Sequence, residues 1–186
     1  FLIFGLFLFG LGETLLLASG GGVSPWTVLA EGISINTSIS IGFCTLLLSI
    51  AVLLIWFPLK QKPGIGTILN AVIIAIVLDF ALPYLPRPES YSFKVLQIFI
   101  GVLITGLGSG FYLIANLGPG PRDGLMTGLQ RKTGKPIALI RTIIEVAVVF
   151  FGWILGGTAG LGTVVFALGI GPAVALGIYF VSRNFK

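Results

Sequence analysis

Four ionisable side chains lie within long apolar runs and are the first candidates for chemistry: Glu13, Asp79, Arg141 and Glu145. A charge in such a run is costly, so it defaults to a functional hypothesis. Arg141 and Glu145 are four residues apart, and the alternative to a binding role is an internal ion pair. For Asp79 the alternative is a carboxylate at the membrane surface. Glu13 has no opposite charge near it in sequence, so we expect either proton or cation handling or a hydrogen-bonded contact between helices.

A glycine- and proline-rich stretch, residues 117–129, is a second kind of candidate. Backbone amides in a turn that leads into a helix N-terminus attract anions, and the guanidinium of Arg122 adds a forked donor. The alternative is a tight corner in which Asp123 caps the following helix. The expected anion-binding turn consists of Gly118, Gly120, Arg122 and Gly124.

The residue types also limit the chemistry. The chain has no histidine and one cysteine, Cys44, which lies inside an apolar run. The commonest general base and metal ligand is therefore missing, and no disulfide can form within the chain. The sequence contains no nucleophile–base pair, no nucleotide-binding glycine motif and no cluster of metal ligands. We therefore expect no catalytic residues, no metal and no cofactor, and we predict that the protein is not an enzyme.

Composition indicates the environment that must position these groups. Apolar residues make up 56% of the 186 residues and charged residues only 9%, whereas soluble domains carry about 25% charged residues. The chain holds six apolar runs near the roughly 20 residues that cross a bilayer. The expected spans are residues 1–19, 39–59, 65–85, 95–117, 137–155 and 161–181. Because backbone polar groups must be satisfied within lipid, we predict an all-α membrane protein.

The chain repeats itself at an offset of 96 residues. Seven glycines of residues 1–90 coincide with glycines of the second half, where chance predicts about two, which indicates an internal duplication. The sequence predicts repeat one over residues 1–90 and repeat two over residues 91–186, together forming one membrane domain. Each copy has three spans, an odd number, so the copies should be inverted, with short broken or re-entrant helices after the first span of each. The first of these should start at Pro25, with Ser24 as its N-cap.

Basic residues predict the orientation. One side would collect Lys60, Lys62, Arg122, Arg131, Lys132, Lys135, Arg183 and Lys186, and the other only Arg87 and Lys94. By the positive-inside rule the first side is cytoplasmic, so both termini are expected there, in a plasma membrane. The net charge of +5 is thereby assigned to topology rather than to nucleic acid binding. The chain begins at Phe1, and we expect a short tail before it rather than a cleaved signal peptide.

Three motifs carry a resemblance to a known family. They are the run 118–124 (Gly-Pro-Gly-Pro-Arg-Asp-Gly), Arg141-Thr142-x-x-Glu145 and Gly160-x-Gly162-Thr163. With these the chain resembles the YczE-like integral membrane proteins, grouped with YyaS and YitT. The resemblance covers nearly the whole chain and implies a bacterial inner-membrane protein of several spans, one member being linked to peptide antibiotic production. Thr27 stands where this family often has aspartate after the tryptophan of the first copy.

The leading hypothesis is a small inverted-repeat transporter, or transporter-like protein, for a small and anionic molecule. We expect the substrate or ion site to comprise Glu13, Asn70, Asp79, Arg122, Asp123, Arg141 and Glu145. The expected partners are the lipid bilayer and a second copy in a homodimer. One alternative is a non-transporting accessory protein that binds a cytoplasmic enzyme through the basic stretch 122–135. A weaker alternative is a lipid-handling protein.

Overall fold

A computed structural model describes residues 1–185, which form eight α-helices, one 3-10 turn and no strand. The helices are α1 (Leu2–Ser19), α2 (Pro25–Thr37), α3 (Ile41–Trp56), α4 (Ile65–Ala81), α5 (Tyr91–Ile114), α6 (Pro121–Thr133), α7 (Ile137–Ile154) and α8 (Leu161–Asn184), and the 3-10 turn (Leu82–Tyr84) extends α4. Helices α1, α4, α5, α7 and α8 are long and apolar enough to cross a membrane, and α2 with α3, bent by 117°, can form a sixth, broken span. The predicted all-α membrane fold is confirmed.

Three helices of the second half begin at the same repeat positions as their equivalents in the first. Helix α6 begins 96 residues after α2 (121 − 25), α7 begins 96 after α3 (137 − 41), and α8 begins 96 after α4 (161 − 65). Proline stands at the first position of both short helices, where its missing N–H costs no hydrogen bond. The same helix-start positions, including the two prolines, therefore occur in both halves of the chain. The opposite membrane orientation of the two halves stays a prediction.

The first helices of the two halves, α1 and α5, form the centre of the molecule. Their glycines face each other in reverse order, with Gly5 against Gly108 and Gly12 against Gly101, so the two helices run antiparallel. A Cβ on any of these glycines would lie 2.6–2.9 Å from a carbonyl oxygen of the facing helix. Small residues allow this close approach, which favours helix association where lipid provides no hydrophobic driving force.

Each central helix has one long neighbour from its own half: α4 packs on α1 and α8 packs on α5. The contacts are equivalent in the two halves, because Gly10 meets Val77 and Gly106 meets Ala173, each 96 residues later. The outer helices differ. Helix α3 packs along α4, whereas α7 and α8 scarcely touch, and only 17% of the α7 span is buried.

The two breaks before α2 and α6 are each held by the other half of the chain. Gly162 N–H donates to the Gly21 carbonyl at 2.8 Å, and Gly66 N–H donates to the Leu117 carbonyl at the same distance. The following glycines, Gly22 and Gly118, have positive φ angles of 113° and 117°, which few other residues adopt. The Gly-x-Gly-Thr motifs thus start α4 and α8 and also anchor the breaks.

Candidate functional site

A cavity of about 300 Å³ lies between the two halves and is lined by side chains from α1 to α8. Six of the seven residues expected in a substrate or ion site border it: Glu13, Asn70, Arg122, Asp123, Arg141 and Glu145. They come from four different helices, α1, α4, α6 and α7, so only the tertiary structure brings them to one space. The cavity is the candidate functional site.

Glu13 is almost completely buried, with 1% of its surface exposed. Its Oε2 accepts hydrogen bonds from Ser24 Oγ at 2.6 Å and Thr27 Oγ1 at 2.8 Å, and the two hydroxyl oxygens are 2.9 Å apart. These three oxygens form what we call the Glu13 triangle. Its other carboxyl oxygen, Oε1, has no hydrogen-bond partner within residues 1–185.

The break after α1 folds back to make these contacts. Ser24 is the N-cap of α2, as predicted, but its hydroxyl does not cap the helix and is engaged in the Glu13 triangle. Glu13 lies six residues, or roughly 9 Å, before the end of α1 at Ser19. Because Ser24, the N-cap of α2, bonds to Glu13, α2 starts at that depth along α1. Helix α2 therefore begins within the depth of the bundle and directs its N-terminal end at the cavity.

Arg122 and Trp26 are repeat equivalents, 96 residues apart, and they face each other in the cavity wall. The guanidinium carbon of Arg122 lies 5.4 Å from the centroid of the Trp26 ring, a cation–π contact. Trp26 is 7% exposed, and its indole N–H has no partner within residues 1–185. The sequence predicts an interfacial anchor for a tryptophan at such a break, but Trp26 is instead part of the cavity wall.

Asp123 is an exposed residue in the first turn of α6 that borders the cavity. Its Oδ2 accepts a hydrogen bond from the Tyr112 hydroxyl at 3.0 Å. Gly120, rather than Asp123, is the N-cap of α6, and a Cβ at Gly120 would lie 3.3–3.4 Å from Asp123 Oδ2 and from the amide of Asn70. The side chains of Asn70 and Asp123 thus both approach Gly120, which has no side chain to occupy the space beside them.

Arg141 and Glu145 form the ion pair that their spacing allows, with Nε 2.8 Å from Oε1. It is the only salt bridge in the part of the chain that the structure describes. Their side chains are 43% and 17% exposed, so the pair borders the cavity on its more open side. An exposed ion pair of this kind contributes at most about 1 kcal/mol to stability.

Three residues of the expected sites lie outside the cavity. Asp79 accepts hydrogen bonds from Ser40 Oγ at 2.6 Å and Gly42 N at 2.8 Å, so it caps the start of α3 instead of joining the cavity residues. Gly118 forms the break itself, and Gly124 packs against the Trp56 ring. Of the expected anion-binding turn, Gly120 and Arg122 border the cavity.

Sequence reasoning did not select Ser24, Thr27 or Tyr112 as site residues. The 96-residue offset carries the signal for one of them, because Thr27 is the equivalent of Asp123. Glu13 is in turn the equivalent of Ser109, which also borders the cavity. A carboxyl group in one half thus corresponds to a hydroxyl group in the other half at both of these repeat positions.

Comparison with known proteins gives one family and several relatives. A family model described as a family of unknown function, DUF6198, matches residues 1–178. A protein of Haemophilus influenzae is 41% identical over 98% of this chain and 84% of its own length. The membrane protein YczE of Bacillus subtilis is 32% identical over 79% of this chain and 69% of its own, and YyaS of the same organism is 26% identical over 97% and 92%. No solved structure matches the chain.

Proposed function

This chain belongs to the DUF6198 family and is similar to the membrane protein YczE, and on that premise we propose that it is a small membrane transporter built from two inverted repeats. The antiparallel crossing of α1 and α5 supports the inversion, because these helices are repeat equivalents and run in opposite directions. Inverted repeats with broken helices at their interface are a common transporter architecture.

The observation that carries the proposal is the buried, half-satisfied Glu13 in a cavity between the halves. A carboxyl group with one oxygen unpaired is costly in a bundle core, and a structural contact between helices would need only the oxygen that is already bonded. Two short helices, α2 and α6, begin at the same cavity. A substrate site at the interface of the repeats accounts for the unpaired oxygen of Glu13, for the cavity between the halves and for the two helix N-termini that begin there.

We assign the coupling proton to Glu13, the buried carboxyl group of the cavity. Glu13 Oε2 already accepts two hydrogen bonds, from Ser24 Oγ at 2.6 Å and from Thr27 Oγ1 at 2.8 Å, whereas Oε1 has no partner within residues 1–185. A proton can therefore bind to Oε1 and leave it without breaking the two hydrogen bonds that attach the start of α2 to α1.

The membrane setting is part of the same proposal. With both termini cytoplasmic, the exposed bases Lys62, Arg131 and Lys132 lie inside the cell. Arg122, which the sequence places in this basic set, borders the cavity instead. The broad exposed apolar side of α7 would pair with a second copy in a homodimer, and a monomeric mass in mild detergent would contradict this.

Proton-driven flux in proteoliposomes tests the proposal. We expect a pH gradient to drive uptake or efflux of a substrate found by screening labelled small acids, and Glu13→Gln, which keeps hydrogen bonds but cannot exchange the proton, to abolish the pH dependence. Glu31→Gln is the matched control, because Glu31 binds Thr158 N–H and Oγ1 at 2.7 and 3.0 Å, away from the cavity, and glutamine can satisfy both. Flux in Glu13→Gln with an unchanged pH dependence would reject the proton role.

A second candidate is an accessory protein that binds a cytoplasmic enzyme through the exposed residues 131–135, which carry three positive charges. Co-purification of an enzyme that is lost in Arg131→Glu with Lys132→Glu would favour this candidate. A lipid-handling role would instead leave a phospholipid bound to the purified protein beside Arg122.

A further inference from the structure

Two residues that border the cavity each have a buried polar atom without a partner, and the two atoms have opposite hydrogen-bonding character. Within residues 1–185, Glu13 Oε1 and Trp26 Nε1 are the only buried side-chain oxygen or nitrogen atoms without one. Glu13 is 1% exposed, Trp26 is 7% exposed, and both border the same cavity. Buried polar groups are rarely left unpaired. An acceptor and a donor, left together at one cavity, therefore fit a ligand that has both a donor and an acceptor.

A third group at the same place is cationic. Arg122 makes no salt bridge and no side-chain hydrogen bond to the rest of residues 1–185, although it lies over the Trp26 ring. Its forked donors suit a carboxylate, and the first turn of α6, in which it lies, has a positive helix end that favours the same charge. Acceptor atoms of the ligand thus belong beside Arg122 and the indole N–H.

Two carboxyl groups of the cavity favour a hydrogen-bond donor on the ligand. The carboxyl groups of Glu13 and Asp123 both border the space next to Arg122. A plain anion held by the guanidinium would meet these oxygens without offering them a hydrogen. A donor on the ligand, close to its carboxylate, would instead pair with Glu13 Oε1.

We infer that the cavity binds a small carboxylate with a hydrogen-bond donor on the neighbouring carbon, the chemistry of a 2-amino or 2-hydroxy acid. The carboxylate lies on Arg122 and the indole N–H of Trp26, and the donor reaches Glu13 Oε1. This inference rests on the proposed function, because it names the substrate class of the same site. The sequence predicts an anionic substrate, and the cavity restricts this class to carboxylic acids that also donate a hydrogen bond.

Three acids with the same three-carbon skeleton test it: L-alanine, L-lactate and propionate, which carry an ammonium, a hydroxyl and no donor. Their affinity for the purified full chain in lipid nanodiscs is measured by calorimetry, with no gradient present. We expect alanine or lactate to bind at least about tenfold more tightly than propionate, because a site built to pair a donor rejects the analogue that lacks it. Tighter binding of alanine identifies an ammonium group, and tighter binding of lactate a hydroxyl group.

Two variants test the carboxylate end. Trp26→Phe keeps the ring under Arg122 and removes the indole N–H, and Arg122→Lys keeps the charge and removes the fork. Each should weaken binding of the preferred acid about tenfold, whereas Trp153→Phe, a matched change at a 62% exposed position, should not. Size-exclusion profiles establish that the variants are folded, and if Trp26→Phe does not fold, Arg122→Lys provides the test.

The outcomes separate this inference from transport itself. Equal binding of all three acids, no binding of any, or unchanged affinity in folded Trp26→Phe and Arg122→Lys would overturn the inference. Binding as expected, without flux in proteoliposomes, would overturn the proposed transport and keep the ligand class. Flux of another solute without binding of these acids would overturn the ligand class and keep the proposed transport.

Discussion

The Glu13 triangle can be tested by removing one of its hydroxyl groups without changing the shape of the side chain. Thr27→Val deletes the O–H that donates to Glu13 Oε2 at 2.8 Å and leaves the branched side chain in place, at a residue that is 1% exposed. Loss of a hydrogen bond to a buried acceptor costs about 1–3 kcal/mol. For a chain of this length, that corresponds to a fall in Tm on the order of 2–12 °C.

The control for this prediction lies one residue from Glu13. Thr14 is 0% exposed, but its hydroxyl bonds at 2.7 Å to the Gly10 carbonyl of its own helix, so Thr14→Val should shift Tm little. Thermal unfolding of the two purified variants is followed by circular dichroism in the same detergent. If Thr27→Val is no less stable than Thr14→Val, the triangle does not contribute as argued. In a Glu13→Gln background the effect of Thr27→Val on Tm should change, because the stability effects of mutations within one hydrogen-bond network are not additive.

Three further predictions concern the helices around the cavity. Gly12→Ala should lower the free energy of unfolding by about 1–3 kcal/mol through overpacking, because the added Cβ would lie 2.6 Å from the Gly101 carbonyl oxygen. Gly169→Ala is the control and should be tolerated, because the added Cβ would lie 3.4 Å from the nearest side chain. Equal thermal stability of the two variants would contradict the close α1–α5 crossing. Asp79→Ala should lower stability by about 1 kcal/mol through loss of the α3 cap and leave ligand binding unchanged. In intact cells, cysteines placed at the exposed positions of Lys62 and Lys132 should both resist a membrane-impermeant reagent, and labelling of only one would refute the inverted arrangement.

Much of the helical framework was predictable because it depends on local signals. Apolar runs of membrane length end at glycine and proline, and the start of α2 at Pro25 follows from the preference of proline for the first helical turn. The ion pair of Arg141 and Glu145 follows from a separation of four residues on one helix. These features require no knowledge of which helices are neighbours.

The contacts of the cavity were less predictable, because they join residues that are distant in sequence. Asp79 has the same local signal as Glu13, a carboxylate in an apolar run, yet one caps α3 and the other faces the cavity. Trp26 at a break resembles an interfacial anchor until the fold places Arg122 over its ring. Hydroxyl groups such as that of Thr27 are too common to be selected without their partner.

The sequence alone determined that this chain is an all-helical membrane protein with a duplicated pattern of breaks, because hydropathy and backbone hydrogen bonding leave a long apolar segment few other structures. Only the tertiary structure decided which polar groups meet. The antiparallel crossing of α1 and α5 brings the short helices of both halves to one cavity. There Glu13 is left with one oxygen bonded and one oxygen without a partner among residues 1–185, which no spacing along the chain indicates.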